Sequence, residues 1–149
     1  MESNKLKQAT YAERKVQLKK AMNSGFYFEA IFLEYAIMED RTESVLRHEG
    51  SIKLTNKHDK PLTLAQKTNK IRGCKPFEDA KVRKHLSLDL LTALDEWRDK
   101  RNILVHVLMK NQTVTTELQA IAEEGKKLVR LLDNAVKQVN KYFDSRNET

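Results

Sequence analysis

LDLLTALDEWRDKRNILVHVLM, residues 88–109, places Leu90, Leu94, Trp97, Leu104, Val105 and Leu108 at helical spacing, so one side of a long helix is apolar. Ser87 stands where an N-cap belongs, and no Gly or Pro interrupts the run. The same periodicity extends outward. From Phe26 to about His48 a second helix is predicted, with Phe28, Phe32, Tyr35, Thr42 and Leu46 within about 40° of one line at roughly 100° per residue. That stripe is expected to face the core. Upstream, Leu6 to Met22 reads as a first helix ended by Asn23-Ser24-Gly25. Downstream, Thr115 or Thr116 is placed to start a last helix reaching Tyr142. Between the long helices, Ser51 to Pro61 reads as a polar, mobile loop. Leu62 to Ile71 is a short, weakly helical piece stopped by Arg72-Gly73, and Pro76 is placed to open the next as an N1 residue.

The whole chain of 149 residues has only four Gly and two Pro, too few for the turns of a sheet protein. The expectation is a single domain over residues 1–149. Its fold class is all-α, an up-down helical bundle of four long helices plus short helical pieces. Cys74 is the one cysteine, so the count excludes an internal disulfide and a Cys-based zinc site. The N-terminal residues have no apolar signal core, and no run approaches the roughly 18 apolar residues of a membrane span. A cytoplasmic protein with no membrane association is the reading that follows.

Net charge is +7, and its location matters more than its size. Between Lys53 and Lys84 stand ten Lys and Arg against three Asp and Glu, which is the entire excess of the chain. Such a segment can attract RNA or DNA through counterion release, and Lys67, Lys70, Arg72, Lys75, Arg83 and Lys84 are its candidate RNA-binding residues. A solvated loop and helix face that only maintains solubility is the alternative.

Two charges interrupt apolar stripes. Arg101 falls in the middle of the 88–109 stripe, and Glu39 in the middle of the Phe28–Leu46 stripe. An unpaired buried guanidinium would cost several kcal/mol. The two helices are therefore expected to bring Glu39 near Arg101, either orienting the guanidinium for use or serving as an ordinary buried ion pair. His106 projects about 140° away from Arg101, on a second face with Asp95, Asp99 and Asn102. An imidazole beside Asp and Asn can be oriented for general acid–base work, while a surface histidine without a role is the alternative.

With those residues in view, the sequence resembles the HEPN superfamily, α-helical domains carrying an Arg, four to six residues, then His. Arg101-Asn102-Ile103-Leu104-Val105-His106 fits the motif, including the polar Asn that often follows the Arg. Arg41 to His48 also meets the bare spacing, but only the Arg101 copy lies between apolar residues in a long helix with Asn following. A toxin branch paired with a nucleotidyltransferase carries Tyr two residues after the His, and Leu108 stands there in this chain.

The resemblance implies a homodimer with a composite site and metal-independent endoribonuclease activity without cofactors. It also implies a role in toxin–antitoxin systems or phage defence, with a neutralising protein partner. In that chemistry the ribose 2′-OH is the nucleophile. His106 would move the proton, Arg101 would stabilise the phosphorane, and Asn102, with Asp99 and Glu39 in support, would position them. The products would be a 2′,3′-cyclic phosphate and a 5′-OH. A non-catalytic dimeric module binding RNA or nucleotide, or an adaptor, is the other reading. Elsewhere the chain has no Gly-rich phosphate loop, no His-Glu-x-x-His and no Gly-x-Ser-x-Gly, and its other histidines are scattered among Lys and Arg.

Overall fold

Helix-forming residues run almost uninterrupted between a few capping and turn signals, and the fold follows those breaks. The computed structural model describes residues 2–110 and 115–147, and these form six α-helices. They are α1 Glu2–Asn23, α2 Tyr27–Glu49, α3 Leu64–Gly73, α4 Ala80–Arg83, α5 Leu88–Met109 and α6 Thr115–Asn147, with a 3₁₀ turn at Lys75–Glu78. The protein is all-helical, and the four long helices expected from the sequence are α1, α2, α5 and α6. Among the described residues no helix is long and apolar enough to cross a membrane.

The helix ends obey local chemistry. Gly25 takes φ 74°, and the Phe26 N–H reaches back to Ala21 O at 2.8 Å, so α1 closes in a left-handed cap suited to glycine. Ser87 caps α5 as expected, its Oγ accepting from Leu90 N at 3.1 Å. Two readings need correction. The short helix starts at Leu64 rather than Leu62, because Thr63 and Gln66 form a reciprocal capping box. Pro76 opens the 3₁₀ turn, and Asp79 then caps α4 by accepting from Lys81 N. The loop between α2 and α3 carries local bonds: Asn56 Oδ1 accepts from His58 N and Lys60 N, and Thr55 bridges to Pro61.

The chain divides into two compact units, each assembled from separate stretches. The first comprises Met1–Ile37 and Trp97–Lys127. Its core holds Leu18 and Ala21 of α1, Ala30, Ile31 and Ile37 of α2, Trp97 and Leu104 of α5, and Ala122 of α6. Trp97 is fully buried and its indole N–H donates to Ile121 O at 3.0 Å, so the ring is satisfied at both its apolar and polar ends.

The predicted core stripe of α2 is wrong in this unit. Phe28 and Phe32 are exposed, at 43% and 51%, while Ala30, Ile31, Glu34 and Ile37 face inward. The buried acid of α2 is accordingly Glu34, and Glu39 is partly exposed. Glu34 lies against the middle of α6 at Gly125. A Cβ built on Gly125 would meet the Glu34 carboxyl, with Cδ only 2.7 Å away, and Trp97 Cζ2 at 2.9 Å. The missing side chain lets α6 approach this closely despite the cost of glycine within a helix.

The second unit comprises Met38–Glu96 and Leu128–Thr149. Here α6 buries Leu128, Val129, Leu132, Ala135, Val136, Val139 and Phe143 at three- and four-residue spacing. Phe143 meets Phe77 edge to face at 5.5 Å. Arg83 gathers this unit's short pieces by donating to Ile71 O, Arg72 O and Leu86 O. Burial holds its guanidinium below the usual arginine range.

Asp79 also receives the Tyr142 hydroxyl at 2.5 Å. That hydrogen bond, then the one from Lys81 N, lowers the Asp79 carboxyl below its ordinary range, while it raises the Tyr142 phenol. The carboxylate form therefore favours the folded state above the ordinary range of Asp, and that contribution is lost as pH falls through the lowered folded-state value. Tyr142→Phe is expected to move the Asp79 titration upward toward its unperturbed range. A carboxyl-detected NMR titration checks this, and an unmoved Asp79 would show that the hydroxyl does not control it.

Candidate functional site

Arg101 is half-buried on α5, within the first unit. Its guanidinium lies over the Tyr35 ring, 4.2 Å from the centroid, with the Phe32 ring at 5.7 Å. Nη1 donates to Asn102 Oδ1 at 3.0 Å, and Nε is buried without a hydrogen-bond partner. The cation is thus braced on aromatic faces and one amide, an arrangement that restrains the side chain without neutralising it. An added phosphate would meet a charge already in place.

The expected Glu39 support is not what touches Arg101 in this unit. Glu39 belongs to the second unit, where its backbone carbonyl accepts from Lys67 Nζ at 3.1 Å and from Thr42 Oγ1 at 3.1 Å. The side chains that brace the guanidinium, Tyr35 and Phe32, come from α2. The sequence carried a signal for them in the aromatic i, i+3 pair, which hydrophobicity alone assigned to the core.

His106 is exposed near the C-terminal end of α5, one turn after the exposed Asn102. Asp99 is exposed as well, with Arg98 Nη2 at 3.5 Å. Asp95, read as sharing the face of His106, lies in the second unit and accepts from Arg72 Nη2 at 2.5 Å and Thr68 Oγ1 at 2.9 Å. Arg101, Asn102, Asp99 and His106 therefore remain together on one unit's stretch of α5. The other Arg-to-His spacing is differently occupied: Arg41 bonds Asp40 Oδ2 at 2.6 Å, and His48 Nδ1 lies 2.7 Å from Asp144 Oδ1.

The six candidate RNA-binding residues all lie in the second unit and fall into two groups. Lys67 is buried with its ammonium on a carbonyl, Arg72 is paired with Asp95, and Arg83 is fastened to three carbonyls. Lys70, Lys75 and Lys84 are exposed and can meet a polyanion. Among the described residues no three His, Cys, Asp or Glu side chains gather as a metal site would require.

Glu34 is the group that sequence reading missed altogether. It is fully buried, neither carboxyl oxygen has a hydrogen-bond partner, and burial raises its pKa from 4.5 to about 9 against a smaller opposing pull from Lys126. It enters the first unit as a neutral acid at pH 7. The spacing Ala30, Ile31, Glu34, Ile37 carries the signal, but the acid itself disguises the stripe as polar. No protein-family model, curated protein or solved structure matches the chain.

Proposed function

We propose that this chain is a HEPN-type, metal-independent endoribonuclease, acting as a homodimer in toxin–antitoxin biology or phage defence. The observation that carries the proposal is the Arg101-Asn102-His106 set on α5, with the Arg101 guanidinium held over Tyr35 and bonded to Asn102 while His106 stands exposed nearby in sequence. In cleavage, His106 takes the proton from a ribose 2′-OH as that oxygen attacks the adjacent phosphorus. The 5′-oxygen then departs as the leaving group and is protonated. Arg101 offsets the charge that builds on the phosphorane oxygens.

One unit contributes one Arg and one His, and two-fold pairing would double both around a single groove. Exposed apolar residues in the same unit, Phe28, Phe32 and Ile103, supply a surface that a second copy could cover. The exposed Lys70, Lys75 and Lys84 supply positive charge for RNA in the other unit. Those lysines equally favour the second reading, a dimeric RNA- or nucleotide-binding module or adaptor without catalysis.

The test uses purified wild type, Arg101→Ala and His106→Ala with labelled structured RNA in EDTA, followed by analysis of the ends. Cyclic-phosphate ends from the wild type, lost in both variants, are the expected result. Full cleavage by His106→Ala would overturn the mechanism. Binding without cleavage by a folded, dimeric wild type would transfer the assignment to the binding module.

A further inference from the structure

The second unit contains an open, groove-like cavity of about 290 Å³, and of its lining residues the ribonuclease reading uses Lys84 alone. Lys84 and His85, just after α4, line one part of it, and Asn134, Lys137 and Gln138 of α6 line another. Leu131 and Ala135 complete the wall. Every polar side chain in this lining is a cation or can donate a hydrogen bond, and no carboxylate is among them.

We propose that this cavity binds a phosphate group carried on a small organic moiety, either a free nucleotide or a nucleotide unit of an RNA strand. Lys84 supplies positive charge for a phosphate, and Lys137, whose ammonium is paired with Asp133, supplies further N–H donors. Asn134 and Gln138 stand one helical turn apart on α6, so their amides can donate from one face of the helix. Leu131, 41% exposed, gives an uncharged sugar or base an apolar surface. The volume lies at the small end of ligand pockets, which suits one nucleotide rather than a folded domain.

Lys137 is itself positioned. Its ammonium lies 3.1 Å from Asp133 Oδ2, a buried carboxylate that also faces Arg41 at 3.8 Å. Asp133 therefore fixes where the ammonium sits while sharing its own charge with a second cation. Lys84 is exposed, and among the described residues no carboxylate is paired with its ammonium. A bound phosphate would order it.

This assignment stands independently of cleavage at Arg101 and His106. The full-length protein would be titrated with inorganic phosphate, with adenosine monophosphate and with a short single-stranded RNA. The readouts are the side-chain amide resonances of Asn134 and Gln138 and the backbone resonance of Ala135. The expected result is saturable movement of these resonances with a phosphate-bearing probe, weakened at least about tenfold in the Lys84→Gln/Lys137→Gln variant. Response to adenosine monophosphate but not RNA identifies a free nucleotide as the source, and the reverse identifies the strand. Equal response to both supports a site that reads the phosphate and its nucleoside alone.

Salt should weaken the interaction. Leu131→Ala should reduce affinity for adenosine monophosphate while leaving inorganic phosphate unchanged, which separates a local contact from a general loss of fold. Unmoved lining resonances with all three probes would overturn the proposal. So would wild-type affinity in the folded double lysine variant. Neither result would touch the Arg101 and His106 cleavage test.

Discussion

Glu34→Gln is expected to stabilise the protein by about 3 kcal/mol at pH 7, and to remove most of the slope of its stability between the ordinary carboxyl pKa of 4.5 and about 9. In the unfolded chain Glu34 ionises above 4.5, whereas burial keeps the folded carboxyl protonated to about 9. The group's contribution to folding is therefore fully present below 4.5 and is lost as pH rises, at about 1.4 kcal/mol per pH unit. Above about 9 the folded carboxyl ionises too and the loss levels off. Gln keeps the size and helix preference of Glu but has no proton to release. Urea unfolding of both proteins at pH 4, 7 and 8.5 reads the difference directly. Curves that stay parallel at all three values would show that Glu34 ionises normally in the folded state.

The same buried carboxyl reverses the usual consequence of replacing a glycine in a helix. On helix propensity alone, Gly125→Val would be favourable by a few tenths of a kcal/mol. The space beside Gly125 is instead occupied by Glu34 and the Trp97 ring, both fully buried. Neither can retreat into solvent, so the substitution is expected to destabilise by about 3 kcal/mol. The penalty should fall by at least about 1 kcal/mol when Glu34→Ala is made first, because the shortened side chain vacates part of the volume. Thermal or denaturant unfolding of the two single variants and the double variant closes the cycle. Strict additivity would mean that α6 shifts away from α2 in the first unit instead of compressing this contact.

Particular residues show what was legible in the sequence. The bounds of α5 could be read because its cap, Ser87, and the buried Leu94, Trp97 and Leu104 act locally or along one helix, whereas buried Leu91 lay outside the predicted stripe. The face of α2 could be read only in part: Thr42 and Leu46 are buried as expected, but Phe28 and Phe32 are not. Aromatic residues at Phe28 and Phe32 mimicked a core stripe, while the true one in the first unit runs through Ala30, Ile31, Ile37 and the neutral acid Glu34. Protonation of Glu34 is a product of tertiary burial, and a reading that assigns it a charge places it outside. The basic segment was legible as composition but not as surface. Whether Lys67 and Arg83 face water depends on which carbonyls the fold leaves needing donors.

At the candidate site the sequence placed Arg101, Asn102 and His106 together on one helix, which the fold retains. It did not reveal that Tyr35 would brace the guanidinium, since that contact joins residues far apart in the chain. The Thr63–Gln66 capping box is written in the sequence, but the apolar period of α3 is too short to mark it as a helix start.

The interleaving of the two units sets an order on synthesis. The first unit needs Trp97–Lys127 to join Met1–Ile37, and the second needs Leu128–Thr149 to join Met38–Glu96. On a ribosome, neither can complete its core from its opening segment: the first must wait for Trp97–Lys127 to emerge, and the second for Leu128–Thr149 after it. A truncation at Leu128 would remove one of the second unit's two segments and leave the other without its packing partner, so shortening the chain there produces an incomplete core instead of a smaller independent protein.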